Sequence, residues 1–84
     1  MLLHFYGEEC PHCIRIKPFV ERLRKDGVKL ETHEVWHHPD NLEKMKELDK
    51  GRCGAIPYFI DTETGKYTCG ETTYEELIAL SKGK

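Results

Sequence analysis

The chain has 84 residues, 38% of them hydrophobic and 33% charged, with a formal net charge of −2 at pH 7. That length supports one modest core, burying about 60% of the surface of the unfolded chain, and leaves no room for a second domain, so residues 1–84 are read as one unit. A balanced charge and ordinary composition exclude a nucleic-acid footprint, a polybasic membrane patch and a disordered acidic tail.

The first stretch, Leu2 to Tyr6, is apolar on both faces, which suits a short central strand buried between layers. It is too short for a signal sequence or a membrane span and it carries His4, so a cytoplasmic protein is expected. Gly7 to Glu9 form a turn. From Pro11 the apolar residues Cys13, Ile16, Phe19, Val20 and Leu23 recur at steps of three and four, which predicts an amphipathic helix to about Lys25. Pro18 lies inside that helix and Asp26-Gly27 ends it.

Cys10-Pro11-His12-Cys13 sits at this strand-to-helix junction, the place and spacing of a redox dithiol. With Cys10 as N-cap and Pro11 as the first helical residue, the Cys10 sulfur faces backbone N–H groups that have no partner within the helix, and the helix dipole favours a thiolate there. Cys10 is therefore the expected nucleophile. Cys13, one turn further on, is the resolving thiol, and His12 between them is expected to offer charge or a proton donor to the Cys10 sulfur.

Val28 to Val35 alternate in the manner of a strand with one solvated face, expected at a sheet edge and parallel to the first strand. Asp40 with Glu43 has capping-box spacing, and Leu42, Met45 and Leu48 predict a short helix to about Lys50. Tyr58–Ile60 and Lys66–Cys69 read as a hairpin around Asp61–Gly65, and Thr73 with Glu76 caps a last helix packed through Tyr74, Leu77, Ile78 and Leu80. Trp36 ends the second strand and is expected to cover the core edge, while His33, His37 and His38 read as surface residues.

The order is β-α-β-α-β-β-α, an α/β fold with helices on both faces of a four-stranded mixed sheet. Together with the Cys-Pro-His-Cys tetrad, Pro18 and Ile56-Pro57, it resembles the thioredoxin superfamily at the compact size of glutaredoxins. The resemblance covers nearly the whole chain. It implies strand order 2-1-3-4 and thiol/disulfide exchange; the expected protein is a monomer without a cofactor or metal that acts on protein disulfides and is re-reduced by an upstream reductase or dithiol donor. It implies a cis Pro57 beside the dithiol, with the Ile56 backbone presented to an extended substrate and Pro11 and Gly70 on the same rim. His4 stands where thioredoxins usually carry a buried acid, so it is expected either to take the Cys13 proton, as an ordinary pKa near 6.5 would permit, or to be a neutral, hydrogen-bonded core residue.

Two alternatives stay open. Glutaredoxins bind glutathione through a basic residue before the first cysteine and a Gly-Gly-X-Asp stretch, where this chain has Glu8-Glu9 and Cys69-Gly70-Glu71-Thr72, so protein disulfides are the expected substrates. Cys53 and Cys69 fall on the active-site side as a possible second thiol pair: they form a disulfide, relay electrons, complete a four-thiolate zinc or iron-sulfur site with Cys10 and Cys13, or remain unpaired.

Overall fold

The computed structural model describes residues 1–83. Its elements are β1 (Leu2–Tyr6), α1 (Pro11–Lys25), β2 (Leu30–Glu34), α2 (Pro39–Asp49), β3 (Tyr58–Asp61), β4 (Tyr67–Cys69) and α3 (Tyr74–Ser81). The sheet order is β2-β1-β3-β4, as expected, with β2 parallel to β1 and the other two pairs antiparallel.

Alternation along β1 divides the core. Leu2 joins Ile16, Val20 and Leu23 of α1, Phe59 of β3 and Leu77 and Leu80 of α3 on one face. Leu3 and Phe5 join Val35, Met45, Tyr58 and Ile60 on the other, beneath α2. Each large aliphatic side chain so buried contributes about 1.5–3 kcal/mol, which makes the sheet–helix layers the principal support of the junction between β1 and α1. Within the described residues no helix is long and apolar enough to cross a membrane.

Three local expectations change. Strand β2 is shorter than the alternating run, since Val28 and Lys29 lie outside the ladder, and Val28 N–H donates instead to Leu23 O at 3.0 Å, closing the end of α1. Asp40 is not the cap of α2: Pro39 starts the helix, His38 is the N-cap without a side-chain bond, and Asp40 lies in the first turn. Proline's fixed φ and missing N–H suit the first helical position, and its side chain leaves the cap to the residue before it. Trp36 follows β2 in a bend and is 52% exposed. The Thr73 cap does form, with its hydroxyl accepting from Glu76 N–H at 3.2 Å.

Candidate active site

Cys10 is the N-cap of α1 and Pro11 its first residue. The Cys10 sulfur accepts a hydrogen bond from Cys13 N–H at 3.4 Å, so a group that has no partner inside the helix is turned onto the sulfur. Both thiols are free, and Cys10 is only 4% exposed. The turn that precedes it folds back, Cys10 N–H donating to Gly7 O at 3.1 Å, and draws the cap residue under the loop.

The two sulfurs are not equivalent. Burial first, and then the hydrogen bond to Cys10 and its charge, push the Cys13 thiol up to about 12. Cys13 therefore holds its proton at neutral pH and shares that proton with Cys10.

Above the turn, Trp36 and Ile56 converge on Gly7. A Cβ added to Gly7 would lie 2.5 Å from the indole and 2.9 Å from Ile56 Cδ1, so only glycine admits this approach. With half-exposed Trp36 and with Ile14, 55% exposed, one turn into α1, an apolar rim surrounds the dithiol. The Ile56–Pro57 peptide is cis, Pro57 is fully buried, and Pro57 O accepts from Gly70 N–H at 2.9 Å, tying the β4–α3 loop to the same edge.

His12 does not turn to Cys10. Its Nδ1 lies 3.1 Å from Glu71 Oε2 and 3.2 Å from Arg15 Nη2, while Arg15 Nε donates to Glu71 Oε1 at 2.9 Å. His4 lines a cleft of about 410 Å³ between β1, β2 and α1, together with Cys13, Lys17 and Arg24. It is 5% exposed, stacks on Phe59 at 4.2 Å, and neither ring nitrogen has a hydrogen-bond partner. Burial, with a smaller contribution from the Arg24 charge, lowers its pKa to about 3, so neither the ordinary pKa near 6.5 nor the hydrogen-bonded core residue is what is found. An imidazole lowered to about 3 by burial is a poor proton acceptor at neutral pH, which argues against His4 as the base for Cys13.

Several contributors carried no signal in the sequence. Glu34 accepts from Glu8 N–H at 2.9 Å and His37 N–H at 2.7 Å, fastening the turn before Cys10 to the end of β2. Burial alone would raise its pKa, but these bonds and the His37 charge outweigh it and hold the carboxyl below its ordinary value. His37 Nε2 contacts the Glu9 carboxylate at 2.7 Å, and that hydrogen bond and charge raise the imidazole above its ordinary range. Glu9, Glu34 and His37 form the one three-ligand cluster among the described residues, with Glu34 already engaged by backbone N–H groups. Cys53 and Cys69 are joined to each other with Cα atoms 5.6 Å apart, and in this oxidised form neither is available to complete a four-thiolate site with Cys10 and Cys13.

With this geometry established, comparison decides the fold. No family model and no curated protein matches the chain. Among solved structures, a glutaredoxin from Archaeoglobus fulgidus is similar to it with a TM-score of 0.71 and 21% identity, over 98% of this chain and 86% of that one. A thioredoxin-like protein, crystallised as a point mutant, is similar with a TM-score of 0.69 and 18% identity, over 95% of this chain and 97% of that one. The chain has a thioredoxin-like fold. Within that fold the dithiol falls at the β1–α1 junction and the cis proline at the start of β3.

Proposed function

We propose that the chain is a thiol/disulfide oxidoreductase that reduces protein disulfides, with Cys10 as nucleophile and Cys13 as resolving thiol. The observation that carries this reading is the asymmetry of the pair: Cys10 sulfur receives a backbone N–H at a helix start, while the Cys13 thiol is held up to about 12. Cys10 thiolate attacks one sulfur of the substrate disulfide, forms a mixed disulfide and releases the first substrate thiolate. Cys13 then attacks Cys10 sulfur, closes the Cys10–Cys13 disulfide and releases the second. Two electrons pass to the substrate, and the protons of the protein dithiol end on the two released thiols. An upstream reductase or dithiol donor restores the starting state.

The attack by Cys13 comes second for a physical reason. Two of the influences that raise it, the hydrogen bond to Cys10 and the Cys10 charge, vanish once Cys10 is bonded to substrate sulfur. The apolar rim of Trp36, Ile56 and Ile14 supports a polypeptide substrate, which in this reading runs along Ile56 and Pro57 with Pro11 and Gly70 beside it. The protein acts as a cytoplasmic monomer.

Charge at the rim favours a protein disulfide over a glutathione mixed disulfide. Glu8 and Glu9 precede Cys10, and Glu71 already engages both His12 and Arg15, so a substrate carboxylate meets like charge. We expect kcat/KM for reduction of insulin to exceed that for a peptide–glutathione mixed disulfide by about tenfold, or about 1.4 kcal/mol. Steady-state assays with both substrates check this, and the reverse preference identifies a glutathione-dependent enzyme.

A further inference from the structure

The Cys53–Cys69 disulfide lies outside the exchanging dithiol, yet both cysteines flank the segment that faces it. Cys53 precedes Pro57 by four residues, Cys69 stands opposite Tyr58 in the β3–β4 ladder, and Gly70 N–H holds Pro57 O at 2.9 Å. The segment from residue 53 to 58 is thus fastened to β4 at both ends, covalently at one and by hydrogen bonds at the other. Ile56 lies within it and reaches over Gly7, whose carbonyl holds Cys10 N–H.

A second set of bonds fixes the start of this segment without the sulfurs. The buried Asp49 carboxylate accepts from Cys53 N–H at 2.8 Å and Gly54 N–H at 2.8 Å. Arg52 donates to Asp49 O and Leu48 O at the end of α2 and places its guanidinium 4.5 Å over the Tyr67 ring, two residues before Cys69. These contacts hold the start of the segment beside β4 without involving either sulfur. Gly54 and Ala55, between them and Ile56, are exposed, as is Cys69.

We propose that Cys53–Cys69 is a second redox centre, reducible by thiols, whose oxidised form holds Ile56 in the position that docks a protein substrate beside Cys10. Thiolate attack on the sulfur of Cys69, the more exposed residue of the pair, forms a mixed disulfide and releases Cys53 thiolate. A second thiol of the reductant attacks its own sulfur in that mixed disulfide, leaves as a disulfide and frees Cys69, so two electrons enter the protein and the reductant loses two. Reduction leaves Asp49 and Arg52 in place, with Cys53 and Gly54 N–H still held, but removes the covalent tie between this segment and β4, and a substrate must then order Ala55 and Ile56 on binding. The centre acts on docking and leaves the chemistry at Cys10 unchanged. The inference rests on the exchange reading above.

Two measurements test it. In C53S/C69S, shown to be folded by circular dichroism, KM for insulin rises about tenfold while kcat and the rate with the small disulfide 5,5′-dithiobis(2-nitrobenzoic acid) stay within about twofold of the parent. Unchanged KM, or an equal fall with both substrates, overturns the proposal. In C10S/C13S, equilibration in dithiothreitol buffers followed by alkylation and mass spectrometry shows Cys53/Cys69 passing between disulfide and dithiol in a protein that keeps its fold. A pair that opens only when the protein unfolds overturns the redox role. A parent inactive on both disulfides refutes the exchange reading itself, and this proposal falls with it.

Discussion

Cys10→Ser lowers turnover of a protein disulfide by roughly a thousandfold or more, because among the described residues no other sulfur receives the N–H of a helix start. Cys13→Ser has a different effect. It also stops turnover, but the first attack still proceeds and the variant accumulates as a covalent mixed disulfide with its substrate. The difference follows from the hydrogen bond and charge that couple the sulfurs: Cys13 is raised to about 12 while Cys10 is free, and it attacks only after Cys10 has been consumed. Mass spectrometry of each variant after mixing with insulin checks both outcomes. An adduct on Cys10→Ser through Cys13 would reverse the assigned roles.

His4→Leu changes how the fold responds to acid. The folded chain binds a proton at His4 with a pKa of about 3, against 6.5 for the unfolded chain, so between these values the unfolded state holds the extra proton. The stability at stake is present above pH 6.5 and is lost as the pH falls toward 3, in total about 4–5 kcal/mol. Urea unfolding of His4→Leu should therefore show a loss between pH 7 and pH 4 smaller by about 3 kcal/mol than that of the parent. Equal losses would mean that His4 finds a partner for its proton in the folded chain. Because His4 is a poor proton acceptor, the same variant should resolve the mixed disulfide within about threefold of the parental rate at pH 7. A much larger fall would restore the general-base role.

The parts of the fold set by periodicity and chain punctuation were legible in the sequence. Two-face burial of Leu2 to Tyr6 and the three- and four-residue steps of α1 depend on local patterning, and they were enough to place Cys10 at the helix start. Readings that depend on what lies across space did not follow. Glu34 and Asp49 look like surface carboxylates in the sequence, but folding buries both, Glu34 against Glu8 N–H from a distant turn and Asp49 against the N–H groups of Cys53 and Gly54 in the loop that follows its helix. Trp36 and Ile56 meet over Gly7 from two distant loops, and Glu71 captures His12 from across the β4–α3 connection. Cysteine connectivity is likewise not contained in spacing, so the Cys53–Cys69 bond remained one of several options. For His4 the position was legible but the protonation was not, since burial beside Phe59 without a hydrogen-bond partner lowers its pKa and no local pattern reports that.

Disulfide exchange by this chain requires reversible bonding between Cys10 and Cys13. The direct test is equilibration of C53S/C69S in defined thiol/disulfide buffers, followed by acid quenching, alkylation and mass spectrometry. We expect a single two-electron transition in which both remaining thiols become protected together, with a midpoint between about −120 and −270 mV. Alkylation of both Cys10 and Cys13 in every buffer, with no disulfide at the oxidising end, would contradict the dithiol mechanism.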